Sequence, residues 1–273
     1  MNELLFGEKA GAVPSGALSW IVKQVFDNER VAPPGPVDGS LELSARVSGV
    51  VSLYRRVWLI LAVPLLGYPS ATVALPGPRS ERSAQRGYAR IEREVLVALN
   101  QARSDPKGTA AKLDILARSY RGTLLRRPTQ QIPIQTSEGV VAVREAAAAA
   151  RTQSPLPTLA LSAELSRAAR DHAQDQQRTG AIGHAGSDGS TVITRVGRYG
   201  RWLRSISENI DYSPSASGTE VIENLLVDDG VPDRGHRKNI FDPTARLVGI
   251  ACAPHPRYTT VCVIVQTGGF VAK

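Results

Sequence analysis

Two of the chain's four histidines stand in glycine-flanked loops, His184 in "AIGHAGSDGS" and His236 in "DDGVPDRGHRKNIFDP". Glycine, proline and aspartate mark both stretches as irregular backbone. Between them lies "SENI", residues 207–210, which carries Glu208, and Asp228 and Asp229 stand shortly before His236. Neutral imidazoles with one or two carboxylates form a ligand set suited to a divalent first-row ion such as zinc. With an open coordination position the same set activates water. A hydrogen-bonded polar cluster uses the same residue types. No H-E-x-x-H signature is present to choose between the two.

The elements that must position these loops are legible from periodicity. In "YARIEREVLVALNQARSDP" the residues Ile91, Val95, Leu99 and Ala102 recur at three- and four-residue steps, which predicts an amphipathic helix. Asp105-Pro106 ends it, because the residue before proline is pushed out of the helical region. A basic, moderately helical region follows to about residue 157, with the helix-forming run "VREAAAAAR" at 143–151. "PLPTLALS" reads as a tight connection. Ser162 then caps a helix over 163–178 that Gly180 terminates. Its apolar stripe is Leu165, Ala168, Ala169, His172 and Ala173, which makes His172 a hydrogen-bonded core histidine rather than a ligand. A third helix is expected over 219–227, with Val221, Ile222 and Leu225 facing inward.

The C-terminal stretch "RLVGIACAPHPRYTTVCVIVQTGGF" alternates and is rich in valine and isoleucine on both sides of "PHPRY", the pattern of a β-hairpin. Cys252 and Cys262 are equidistant from Arg257 at the turn, so they face each other across the strands, within reach of a bridge. On an exported chain such a pair favours a disulfide. Two buried free thiols are the alternative.

Export is suggested upstream. In "YRRVWLILAVPLLGYPSATVALP", residues 54–76, two arginines precede an apolar run from Val57 to Leu66, and small residues follow. That is the layout of a secretory signal, and the run is too short for a comfortable membrane span. Residues 51–75 are therefore read as signal-like, and 76–87 as a disordered linker. Residues 1–50, rich in Gly, Pro, Val and Ser, are read as unstructured, with translation beginning near Val47, Val50 or Val51. A folded domain is expected over 88–273.

The totals exclude some classes. With 42% hydrophobic and 21% charged residues in 273, a packed core is expected. The net charge of +8 is scattered, apart from Arg118, Arg121, Arg126 and Arg127 in a segment lacking acids. No aromatic residues interleave with the basic ones, and no zinc-finger or helix-turn-helix pattern occurs, so no nucleic-acid partner is expected.

Taken in order, "LVALNQARSDP", "LSRAARDHAQDQQRTGAIGHAGSDGS", "SENI", "GHRKNIFDP", "RLVGIAC" and "VCVIVQTGGF" resemble a bacterial member of the CAP superfamily, from about residue 90 to 271. That superfamily comprises cysteine-rich secretory proteins, venom antigens and plant pathogenesis-related proteins. The basic stretch 112–155 is longer than the family core. The resemblance implies an α+β fold, an α-β-α sandwich with a short antiparallel sheet between helices, and a central cleft where two histidines and two acidic residues converge. His184, Glu208 and His236 match three of those positions. The fourth falls where similar proteins carry a Trp-Tyr-x-Glu run. Here the segment reads "LLVD", which gives Asp228, with Asp229 as the fallback.

Three functions fit these readings. The first is an exported binding module of the cell envelope or extracellular space, its cleft holding a divalent metal, zinc in the first place, and its surface engaging a lipid or envelope component. The second is a hydrolase in which Glu208 is the general base, with Ser187, Ser190 and Ser207 as the nearest nucleophile candidates. The third is a structural envelope protein with an inert polar cleft.

Overall fold

The computed structural model of the protein describes residues 78–273 apart from Ala216. The stretch 1–50 and the signal-like segment 51–75 lie outside the described residues. The linker expected over 76–87 is helical from Pro78 onward, in the opening turns of α1 (Pro78–Ser104). Proline suits a first helical turn, and the Ser, Glu, Arg, Ala and Gln that follow propagate a helix anchored further along by Ile91, Val95, Leu99 and Ala102, all buried.

Asp105 ends α1 and at once begins α2 (Pro106–Ala117), its side chain accepting from Gly108 N at 2.9 Å. Strands β1 (Tyr120–Arg121), β2 (Leu124–Leu125) and β3 (Ile134–Gln135) form a small antiparallel meander, and α3 (Val140–Thr152) follows. This region has a core of its own, in which Leu113 and Leu116 meet Tyr120, Leu125, Ala142, Val143 and Val227. Within the basic cluster, Arg127 is not solvated. It is buried and pairs with Glu223 at 2.5 Å.

Strand β4 (Ala160–Leu161) leads into α4 (Ala163–Thr179), where Ser162 accepts from Leu165 N and Gly180 closes the helix at φ 68°. Next come α5 (Val192–Gly197), β5 (Gly200–Trp202), β6 (Ile206–Ser213), α6 (Gly218–Val227) and α7 (Gly235–Ile240). The chain finishes with β7 (Leu247–His255), β8 (Thr259–Thr267) and β9 (Phe270–Ala272), which pairs with β5.

The main sheet has the order β4-β7-β8-β6. Its long pairs are antiparallel as expected, but β4 runs parallel to β7, so the sheet is mixed. The residues read as a tight connection before α4 are already extended, and Ala160 N and Ser162 N find carbonyls of Arg246 and Val248 at 3.0 and 2.8 Å. Alternation along the strands divides the core in two. Val248, Ile250, Cys252, Cys262 and Ile264 face α1 and α6. Ala251, Ala253, Val261, Val263, Val265, Ile210 and Tyr212 face α4. This is the helix-sheet-helix sandwich.

Helix α4 lies directly on β7 at Gly249, where a Cβ would sit 2.1 Å from the Leu165 carbonyl carbon. Cys252 and Cys262 are register partners and form a disulfide, Cα to Cα 4.1 Å. Of the two states left open for these cysteines, the bridge is the one found.

Candidate functional site: two histidine–carboxylate dyads

The loop that carries His184 is gripped from beneath. His255 Nε2–H donates to Ala181 O at 3.0 Å. Gly183, at φ 95°, donates its N–H to the Tyr212 hydroxyl at 2.8 Å, and its carbonyl accepts from His172 Nε2 and Gln176 Nε2 at 2.9 and 2.7 Å. His172 is fully buried, the core histidine that its helical stripe predicts. Burial holds its imidazolium pKa below the ordinary value, so it sits in the fold as a neutral ring.

From this loop His184 Nδ1 reaches Glu208 Oε1 at 2.9 Å. A carboxylate only accepts, so Nδ1 carries the proton and the neutral ring's lone pair is on Nε2. The His184 side chain is one-third exposed, whereas that of Glu208 is 1% exposed. Behind them stands Arg195 of α5, a residue the sequence did not single out. Its Nη2 donates to Glu208 Oε1 and Oε2 at 3.0 and 2.9 Å and to the His184 carbonyl at 3.0 Å, and its Nη1 donates to Ser190 O. Burial pushes the Glu208 carboxyl up, but the hydrogen bond from His184 and the charge of Arg195 outweigh it and hold the group below the usual range.

The second dyad is built on the end of α6. Asp228 caps that helix in the left-handed conformation, φ 57°, which Asp tolerates better than most residues. Its Oδ1 accepts from His236 Nδ1 at 2.7 Å, and its Oδ2 accepts from the backbone N–H of His236 at 2.9 Å and of Arg237 at 3.4 Å. The fallback residue, Asp229, is occupied elsewhere. It accepts from the N–H groups of Ser137, Glu138 and Gly139 and so tethers the start of α3.

The four residues expected to form one ligand set are thus drawn as two dyads. Glu208 shares its face of β6 with Ile210 and Tyr212 on the α4 side, while Asn209 turns to the other face, where its Nδ2 donates to His236 O at 3.1 Å. Asn239 Nδ2 in turn donates to Asn209 Oδ1 at 2.8 Å. Strand β6 is the edge of its sheet; it carries Glu208 of the first dyad and, through Asn209, holds the backbone of the second. Among the described residues no group of three or more His, Cys, Asp and Glu is placed to hold a metal ion. The imidazoles have the donor chemistry of ligands. The carboxylates, filled by N–H donors, stand behind them as orienting groups.

Two of the nucleophile candidates hold the loop together. The Ser187 hydroxyl and N–H donate to Asp175 at 2.5 and 2.7 Å, and Ser190 N–H donates to Asp188 at 2.9 Å. Deeper on the α6 side, Asp211 is buried. Desolvation raises its pKa to about 6 against opposing hydrogen bonds from Ser213 and Asn224.

The profile of the CAP family, described as the Cysteine-rich secretory protein family, matches residues 144–266. That stretch of the chain is similar to the CAP family. Two solved structures share weak likeness with it. One is an extracellular protein containing an SCP domain from Bacillus anthracis, at 20% identity and a TM-score of 0.33, covering 41% of this chain and 34% of that one. The other is an outer surface protein from Borrelia burgdorferi, at 16% identity and a TM-score of 0.35, covering 43% and 80%. The chain spans about a third of the length of the Bacillus anthracis protein. No curated protein matches it significantly.

Proposed function

We propose that this chain is an exported CAP-domain protein that acts as a binding module of the cell envelope or extracellular space. The observation that carries the reading is the state of Glu208. Its carboxylate is buried, ionised and bonded through both oxygens to Arg195, so it is fixed as an orienting group for His184 and is poorly suited to take a proton from water. Export is supported by the Cys252–Cys262 disulfide, by the secretory character of the family and by the signal-like segment over 51–75. Among the described residues no helix is long and apolar enough to cross a membrane.

A divalent ion, zinc in the first place, belongs to the same proposal. His184 would hold it through Nε2, with His236 as the second imidazole, while Glu208 and Asp228 keep the rings oriented. Its role there is to organise a ligand-binding edge along β6. The binding partner proposed is a lipid or other envelope component.

Calorimetric titration with zinc tests the metal. Binding is expected in the native chain and is expected to disappear in both His184→Ala and His236→Ala. Retention of full affinity in either variant removes that ring from the site. Turnover of peptide or ester substrates that is lost in Glu208→Gln, with circular dichroism unchanged, would replace the binding module by a hydrolase. Fractionation of the producing cell, with sequencing of the mature N-terminus, tests export. A mature chain that retains residues 1–50 sinks it.

A further inference from the structure

A cavity of about 400 Å³ opens beside the far end of β6. One wall is the sheet edge and α6, with Asp211, Ser213, Asn224 and Val227. The other is Leu116, Tyr120, Leu125 and the segment from Arg127 to Thr136, all outside the stretch matched by the family profile. The meander region thus walls a sheet edge into a pocket, and that region lies outside the stretch matched by the family profile. Volumes of this size accommodate small organic ligands.

The lining states the chemistry. Leu116, Leu125, Ile134 and Val227 make the walls apolar, and Ile132 stands at 74% exposure beside them. Each charged lining group already has polar partners. Arg127 is paired with Glu223 and bonded to Asn224, Asp229 is satisfied by three backbone N–H groups, and Asp211 accepts from Ser213 and Asn224. One polar atom is orphaned: Gln130 lines the cavity, and its Oε1 is buried without a hydrogen-bond donor. A buried acceptor in that state favours a ligand that brings a donor.

We infer that the cavity between the 116–136 region and the β6–α6 edge is a binding site for a mainly apolar small molecule bearing one hydrogen-bond donor, which Gln130 Oε1 receives. The site goes beyond the dyads and needs neither a metal nor His184.

The full chain of 273 residues is titrated with 2-naphthol, a neutral apolar probe with one hydroxyl donor, and with 2-methoxynaphthalene, the same scaffold without it. Saturable binding of one naphthol per chain is expected, about tenfold tighter than the methoxy compound, as one satisfied buried acceptor implies. Gln130→Leu is expected to erase that preference with an unchanged circular dichroism spectrum. Ile134→Trp, which fills the cavity, is expected to weaken both probes at least tenfold. Absence of saturable binding overturns the site. A preference that survives Gln130→Leu overturns the role of its Oε1. Should Ile134→Trp fail to fold, the Gln130→Leu comparison decides alone.

Discussion

Arg195 and Glu208 meet as a buried ion pair, their side chains 2% and 1% exposed, with both carboxylate oxygens accepting from Nη2 at 3.0 and 2.9 Å. The pair ties α5 to the edge strand and places the carboxylate under His184. Removing one partner leaves the other charged in a dry site. Arg195→Met is therefore expected to destabilise the domain by about 3–5 kcal/mol in urea denaturation. The double variant Arg195→Met/Glu208→Leu, which removes both charges, is expected to recover much of that loss. Equal losses in the single and double variants would mean that packing, and not charge, holds this junction.

Asp228 answers for the second dyad. It accepts from the His236 ring, from two backbone N–H groups, and sits in a left-handed conformation. Asp228→Ala leaves those donors unpaired and strains the backbone, for an expected loss of about 2–3 kcal/mol. Asp228→Asn keeps an acceptor and the tolerance for that conformation, and is expected to lose about half as much. Thermal denaturation of the two variants side by side measures the difference.

Two buried groups pull the pH dependence in opposite directions. His172 has a folded pKa below its ordinary value, so the unfolded chain takes up the proton first and stability falls as pH drops through about 6.5. Asp211 titrates near 6 in the fold against about 3.8 when exposed, so the folded chain takes up the proton first. Its contribution therefore improves as pH drops from about 6 toward 4. Asp211→Asn is expected to stabilise the protein at pH 7–8, with the gain shrinking below pH 6. In that variant the loss of stability between pH 7 and 5 caused by His172 is expected to steepen. Urea midpoints at pH 8, 6 and 4.5 read both effects.

The Cys252–Cys262 bridge closes a short loop, ten residues apart in the chain. For a loop of that length the entropic gain is about 2–3 kcal/mol. The strands are already paired through the hairpin, so the lower end is expected for Cys252→Ala/Cys262→Ala. Chemical denaturation of the two proteins checks it. A loss well above 3 kcal/mol would show that the sulfurs also pack α1 and α6 onto the sheet.

Much of the fold is legible in the chain because it is written locally. The stripe Ile91, Val95, Leu99, Ala102 predicts α1, Ser162 and Gly180 bracket α4, and alternation about Arg257 predicts the hairpin that brings the cysteines together. The ordered blocks imply one set of His184, Glu208, His236 and Asp228 but no pairs within it; that Glu208 receives His184 and Asp228 receives His236 emerges only in the fold. The helical start of α1 before Tyr88 escaped, since its residues are polar all round and carry no period. The two-residue strand β4 escaped because its partner in β7 lies far along the chain.

What the sequence determined by itself is the set of elements and the residue types that can do chemistry, since caps, apolar periods and turn residues act over a few neighbours. Tertiary structure alone decided three things: that Arg195 neutralises Glu208, that Glu208 receives His184 while Asp228 receives His236, and that the 116–136 region closes a cavity against the end of β6. Each depends on side chains meeting across long separations, where burial sets the energy of a charge and strand alternation sets the direction of a residue. Neither quantity has a local signature.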